Sequence, residues 1–157
     1  MMNISIKNVT IHDAKKLLNI QKQAFKPLYS IYHDKASPYR HDLEDIKQRI
    51  NRENSDYYKI LCDEKLCGGL CVYKMPDDYF WLAIIYIKPD FQNRKIAKSA
   101  IKLALDKYPN AKTWGLDFPV DQEKNRRCYE SAGFNDTGKQ EGISEKLVLA
   151  LYEKKMI

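Results

Sequence analysis

Long apolar runs are missing from this chain, and with them the means of crossing a bilayer as a helix. The first residues, Met-Met-Asn-Ile-Ser, lack the apolar core of a secretory signal. The sequence therefore predicts a cytoplasmic protein with no membrane partner, and the sequons at Asn3, Asn8 and Asn135 carry no weight. Glycine and proline are scarce, six of each in 157 residues, so no flexible linker or low-complexity tract divides the chain. Residues 1–157 read as one domain. Cysteine is sparse too: Cys62, Cys67, Cys71 and Cys128 include no Cys-x-x-Cys pair, and no histidine cluster stands near them. That spacing speaks against a metal site, and three of these thiols fall in β-rich segments where they pack as small hydrophobes. The formal net charge is +6, yet no basic run or recognition-helix pattern gathers it, so no nucleic-acid partner is expected.

What the chain does have is one strongly patterned stretch, Phe80 to Tyr108. Phe80 to Ile87 is an unbroken apolar, β-branched and aromatic run closed by Pro89, which predicts a buried strand. Ile96, Ala97, Ala100, Ile101, Ala104, Leu105 and Tyr108 fall on one helical face, predicting a helix from about Arg94 to Tyr108 with Asn93 as N-cap. The start of such a helix, with free N–H groups and cationic neighbours, suits an anion such as a pyrophosphate.

Before it, Ile4 to Val9 predicts a strand, followed by a helix opened near Thr10 to Asp13 and ending near Lys26-Pro27. Pro27 to His41 predicts mainly loop, and Asp42 caps a short helix to Ile50. Tyr57 to Cys62 and Leu66 to Lys74 predict a hairpin, with Gly68-Gly69 marking a bulge or a close backbone approach. After the central helix come a strand at Lys112 to Phe118, a helix capped by Asp121 and running through Ala132 to Gly133, and two strands, from Phe134 onward and at Glu145 to Tyr152. The order β-α-α-β-β-β-α-β-α-β-β predicts an α/β fold: a mixed antiparallel and parallel twisted sheet of about seven strands with helices on both faces.

Two motifs carry a resemblance. Ile87-Lys88-Pro89 leads into Gln92-x-x-Lys95-x-Ala97, and downstream stands Asn125-Arg-Arg-Cys-Tyr129-Glu-Ser-Ala-Gly133-Phe134. In this order they resemble the acetyl-CoA-binding motif and second signature of the GNAT acetyltransferases, with Lys95 where that family usually has its first glycine. The resemblance implies the GNAT architecture and acetyl-CoA as cosubstrate. It implies that the pantetheine arm pairs with the edge at Ile85, Tyr86 and Ile87, where one N–H is left to stabilise an oxyanion. It implies a pyrophosphate on the amides of Asn93, Arg94, Lys95, Ile96, Ala97 and Lys98, with Gln92, Arg94 and Lys98 adding side-chain donors. Asn125 would hydrogen-bond the cofactor. Tyr129, four residues on and on the same helical face, would protonate the departing thiolate.

Acceptor recognition would fall to Tyr29, Tyr32 and Asp34, an aromatic and anionic group with Tyr39 nearby, while His33 and His41 read as surface residues. The strand Trp81 to Ile87 holds no carboxylate to act as base; Asp77, Asp78 and Asp117 are candidates by position. Two readings stand: an N-acetyltransferase acting on the amine of a small molecule or a protein, working as a monomer or homodimer, and a non-catalytic acyl-CoA-binding module.

Overall fold

A computed structural model describes residues 2–157. Seven strands form one sheet: β1 (Ile4–Asn8), β2 (Ser55–Cys62), β3 (Lys65–Met75), β4 (Tyr79–Ile87), β5 (Thr113–Pro119), β6 (Asn135–Gly142) and β7 (Val148–Lys155). Their spatial order is β1-β2-β3-β4-β5-β7-β6, and only β4 and β5 pair in parallel. Four α-helices complete the fold: α1 (Ala14–Tyr32), α2 (Leu43–Asn51), α3 (Ile96–Asp106) and α4 (Glu123–Ser131). This is the expected order of elements. No helix among the described residues is long and apolar enough to cross a membrane.

Each sheet face has its own core. Tyr58, Ile60, Leu70, Val72, Phe80, Leu82, Trp114, Leu116, Phe118 and Tyr152 pack with α3, and Tyr129 of α4 lies against the same cluster. On the other face Tyr57, Cys71, Ile84 and Tyr86 pack with Leu17 and Ile20 of α1 and Ile46 of α2. A strand that simply alternated could not send Phe80 and Leu82 to one face and Ile84 and Tyr86 to the other. The parity changes because β4 is bulged: Val72 pairs with Leu82 and Cys71 with Ile84, leaving Ala83 as the extra residue.

Several local expectations are corrected. α1 does not stop at Pro27 but runs through it to Tyr32, where His33 closes it in the left-handed region (φ 50°). Pro27 is exposed, so the helix carbonyl it leaves unpaired faces solvent, and Tyr32 is buried, which keeps the last turn in place. α3 begins two residues later than expected, and Asn93 is not its cap. Lys95 is, at φ 61° and ψ 20°, with Asn93 left-handed as well (φ 65°). α4 is preceded by Gln122, not capped by Asp121, whose carboxylate instead accepts the Tyr32 hydroxyl.

At the other end of α4 the sequence reading holds. Gly133 (φ 97°) donates to the Glu130 carbonyl at 3.0 Å, and Phe134 donates to Tyr129 at 3.0 Å. Only glycine takes that φ without a Cβ penalty, and the turn delivers the Phe134 ring into the core.

Candidate active site

β4 and β5 run side by side for only three residues each, Tyr79–Trp81 against Thr113–Gly115. Beyond them the strands part, and no strand pairs with that edge of β4 among the described residues. Lys88 donates its N–H across to Cys67 of β3 at 2.7 Å, so alternation turns Ile87 and Ile85 toward the open edge. There the Ile87 carbonyl accepts the Gln92 side-chain amide at 2.9 Å, which anchors the turn that follows. Tyr86 differs from its two neighbours. Its backbone faces β3 and its ring lies over Gly69, where an added Cβ would stand 2.4 Å from the phenolic oxygen.

The turn after β4 carries the next feature. Among the described residues no backbone or side-chain acceptor takes the N–H groups of Asn93 through Lys98, and the first bond of the helix start runs from Ser99 back to Lys95. Alternating left-handed residues at 93 and 95 fold this segment into a concavity of N–H groups at the positive end of α3. Arg94, Lys95 and Lys98 are exposed around it, and the Arg94 guanidinium leans over the Phe91 ring (5.7 Å).

α4 follows β5 as α3 follows β4, so both helices rise from the diverging carboxyl ends of the parallel pair. Asn125 and Tyr129 share one face of α4 a turn apart. The Tyr129 ring is held by Phe118 (5.2 Å between centroids) and Phe134 (6.5 Å). Among the described residues its hydroxyl has no hydrogen-bond partner, and the side chain is only partly buried. Burial above all, with the Cys128 thiol and Asp117 adding, pushes its pKa well above the usual phenol value, so the proton stays on at neutral pH. The influence of Asp117 also places β5 within electrostatic reach of this hydroxyl.

The residues expected to read the acceptor are only partly free. Tyr32 is buried, donates to Asp121 and receives the Gln122 amide at 3.0 Å, tying the end of α1 to the loop before α4. Tyr29 stacks on Tyr39 (5.1 Å) and meets His33 edge-on (5.5 Å). Asp34 is half-buried beside them; the Tyr32 pKa is raised by burial first, then by the bond to Asp121, with the Asp34 charge the smallest contribution. Of the base candidates, Asp77 and Asp78 sit in a left-handed turn (φ 64° and 56°) at the amino end of β4, away from the parting strands. Asp117 lies on the parting half of β5.

Sequence reasoning missed a buried polar chain behind β4. Arg49 donates to Gln21 at 2.9 Å, to Tyr57 at 3.2 Å and to His41 Nδ1 at 3.0 Å, and the Tyr57 and Tyr86 hydroxyls meet at 2.5 Å. The Gln21 amide also reaches His41 Nδ1 at 3.0 Å. His41 is thus not a free surface residue but an acceptor held neutral, its pKa lowered by burial and then by Arg49. A signal was present: Arg49 falls three residues after Ile46, on the apolar face of α2.

The acetyltransferase (GNAT) family model matches residues 15–134. Among curated proteins no sequence matches the chain. Among solved structures, the PaiA N-acetyltransferase of Thermoplasma acidophilum in complex with coenzyme A superposes with a TM-score of 0.73 at 18% identity, over 98% of this chain and 99% of that one. Spermidine N-acetyltransferase from Vibrio cholerae in complex with CoA and spermine gives 0.79 at 16% identity, over 97% and 95%. The ribosomal-protein-S18-alanine N-acetyltransferase from Escherichia coli gives 0.75 at 14%, over 98% and 94%. At these identities the likeness establishes a shared fold.

Proposed function

Because the chain belongs to the GNAT acetyltransferase family, we propose that it is an acetyl-CoA-dependent N-acetyltransferase that moves the acetyl group directly from the thioester to a primary amine. The observation that carries this reading is the conjunction at the parting strands: an unpaired β4 edge, a concavity of free N–H groups and a loaded phenol with no protein partner. The edge at Ile85 and Ile87 suits a pantetheine arm, which carries amides able to pair as an added strand. The N–H groups of Asn93 to Lys98 suit the pyrophosphate, with Arg94, Lys95 and Lys98 supplying charge. Gln92 serves this site indirectly, by fixing the turn through Ile87.

Acetyl-CoA supplies an activated acetyl group, and the chain supplies charge stabilisation and protons. An edge N–H at Ile85 or Ile87 stabilises the oxyanion that develops as the amine adds. Tyr129 protonates the thiolate as the C–S bond breaks, and Asn125, one turn earlier, orients the cofactor beside it. The second reading, a non-catalytic acyl-CoA-binding module, draws on Lys95 in place of glycine.

The test has two parts. Acetyl-CoA at about a hundredfold excess over Kd raises stability by roughly 2.7 kcal/mol if it binds only the folded chain. Thiol release that depends on an added amine then marks transfer, whereas binding without release supports the module. A melt unmoved at millimolar acetyl-CoA, with no heat of binding, would overturn both.

A further inference from the structure

On β5, Trp114, Leu116 and Phe118 turn to the α3 core, so Asp117 turns to the opposite face. α1 and α2 cover that face over β2, β3 and β4, leaving it open farther along the sheet. The open part is a cleft of about 420 Å³ lined by Tyr79, Trp81, Asp117, Glu141, Leu149 and Leu151, with Lys139 and Gln140 at the β6 rim. Tyr79 crosses over Gly115, which has no Cβ to block it, and donates to Glu153 at 2.8 Å. That bond occupies Glu153. Asp117 is different: no hydrogen-bond donor and no cation of the protein engages its carboxylate among the described residues.

We propose that this cleft binds the acceptor as an alkylammonium, and that Asp117 holds the ammonium and takes its proton. This assignment rests on the acetyltransferase reading of the same site. Trp81, Tyr79, Leu149 and Leu151 provide the apolar walls an aliphatic chain needs, and an aromatic face beside a carboxylate suits a cationic head. Asp117 is exposed to the cleft, and partial desolvation by the surrounding walls and then the charge of Glu141 hold its pKa above the usual carboxylate value, which favours it as a base. The charged and titratable groups around it are Glu141 and Lys139 on β6, Tyr79 on β4, Glu153 on β7 and Tyr129 on α4.

The protons balance. The ammonium gives one to Asp117, which passes it to water, and the neutral nitrogen attacks the thioester carbon. As the C–N bond forms and the C–S bond breaks, Tyr129 gives its proton to sulfur. The second proton lost by nitrogen reloads the phenolate through water.

The experiment measures kcat/KM against pH with butylamine and with 4-aminobutanoate, for the wild type, Asp117→Asn and Glu141→Gln, alongside acetyl-CoA affinity. Butylamine is turned over at least about tenfold better than 4-aminobutanoate, whose carboxylate meets Asp117 and Glu141. Asp117→Asn lowers kcat/KM about 100-fold and removes the acid limb of the profile, with acetyl-CoA affinity unchanged. Glu141→Gln removes a negative neighbour, so the Asp117 pKa falls and the acid limb moves to lower pH, which a purely structural role would not produce. An acid limb unmoved in both variants overturns the proposal, as does Asp117→Asn activity within threefold of wild type. Butylamine left unacetylated by a chain that binds acetyl-CoA overturns the acceptor assignment alone, while loss of acetyl-CoA binding itself marks failure of the underlying reading.

Discussion

Lys95 gives the sharpest test of the proposed anion site. The side chain is exposed, and the backbone stands at φ 61°, ψ 20°, where an L-residue with a Cβ pays roughly 1–2 kcal/mol. The loop thus keeps a left-handed residue here without glycine's freedom. Lys95→Gly removes the steric cost but adds roughly 0.5–1 kcal/mol of unfolded-state entropy, so the free protein gains between about zero and 1.5 kcal/mol. Lys95→Ala keeps the backbone cost and leaves stability nearly unchanged. Binding separates the second role. An exposed lysine pairing with a phosphate contributes at most about 1 kcal/mol at low salt, about fivefold in Kd. Lys95→Ala therefore weakens CoA binding by up to that factor in dilute buffer, and the deficit closes in about 0.5 M salt, where the Debye length is only a few ångströms. Lys95→Gly loses the same charge but lets the loop approach more closely, so its deficit is smaller. Urea titrations and calorimetry at two ionic strengths read all four quantities. Destabilisation by Lys95→Gly of more than about 1 kcal/mol would refute the left-handed assignment. An Ala variant that binds equally well at both salts would make the lysine a solvated bystander.

Other outcomes follow from the same geometry. Tyr129→Phe keeps the ring between Phe118 and Phe134, so acetyl-CoA affinity holds while kcat falls about 100-fold; an unchanged chemical step would make water the acid. His41 has its folded pKa below the unfolded value near 6.5, so its contribution is intact above that pH and is lost as pH falls toward the folded value. The melting temperature should drop by roughly 2–4 °C per kcal/mol lost between about pH 7.5 and 5.5, and His41→Gln, which retains an acceptor, should flatten that dependence. Asp34→Asn should raise KM for a cationic amine only about threefold, as a partly solvated charge would, without changing acetyl-CoA affinity. Tyr32→Phe should instead lower stability by about 1 kcal/mol, by releasing Asp121, with KM unmoved.

The order of elements was legible because each carried its own period: Leu17, Ile20 and Ile46 on helical faces, Trp114, Leu116 and Phe118 at alternate strand positions. The same alternation already set Asp117 apart from the α3 core, although its openness depends on β6 and β7, which are remote in sequence. The turn proposed to take the pyrophosphate was legible from Pro89 and the helix behind it, but its two left-handed residues were not, since neither Asn93 nor Lys95 is the glycine that would announce such a backbone. Pro27 misled because its effect depends on which side of the helix meets water. The buried chain from His41 to Tyr86 draws on α1, α2, β2 and β4, and no local pattern links those segments beyond an arginine on an apolar stripe.

The bulge at Ala83 explains why these features coincide. The run Phe-Trp-Leu-Ala-Ile-Ile-Tyr-Ile is apolar on both faces, so composition alone leaves its parity open. Without the extra residue Tyr86 would turn into the α3 core, where its hydroxyl would lose Tyr57, and Arg49 would lose part of the chain that disperses its buried charge. An unsatisfied buried hydroxyl costs about 1–3 kcal/mol, enough to select the bulged register over the regular one. A bulge also bends its strand and increases the local twist. Here that falls two residues beyond Trp81, the last residue of β4 paired with β5. The polar chain on one side of the sheet thus fixes the irregularity that opens the other strand edge. The site is held from behind by residues that need never touch what it binds.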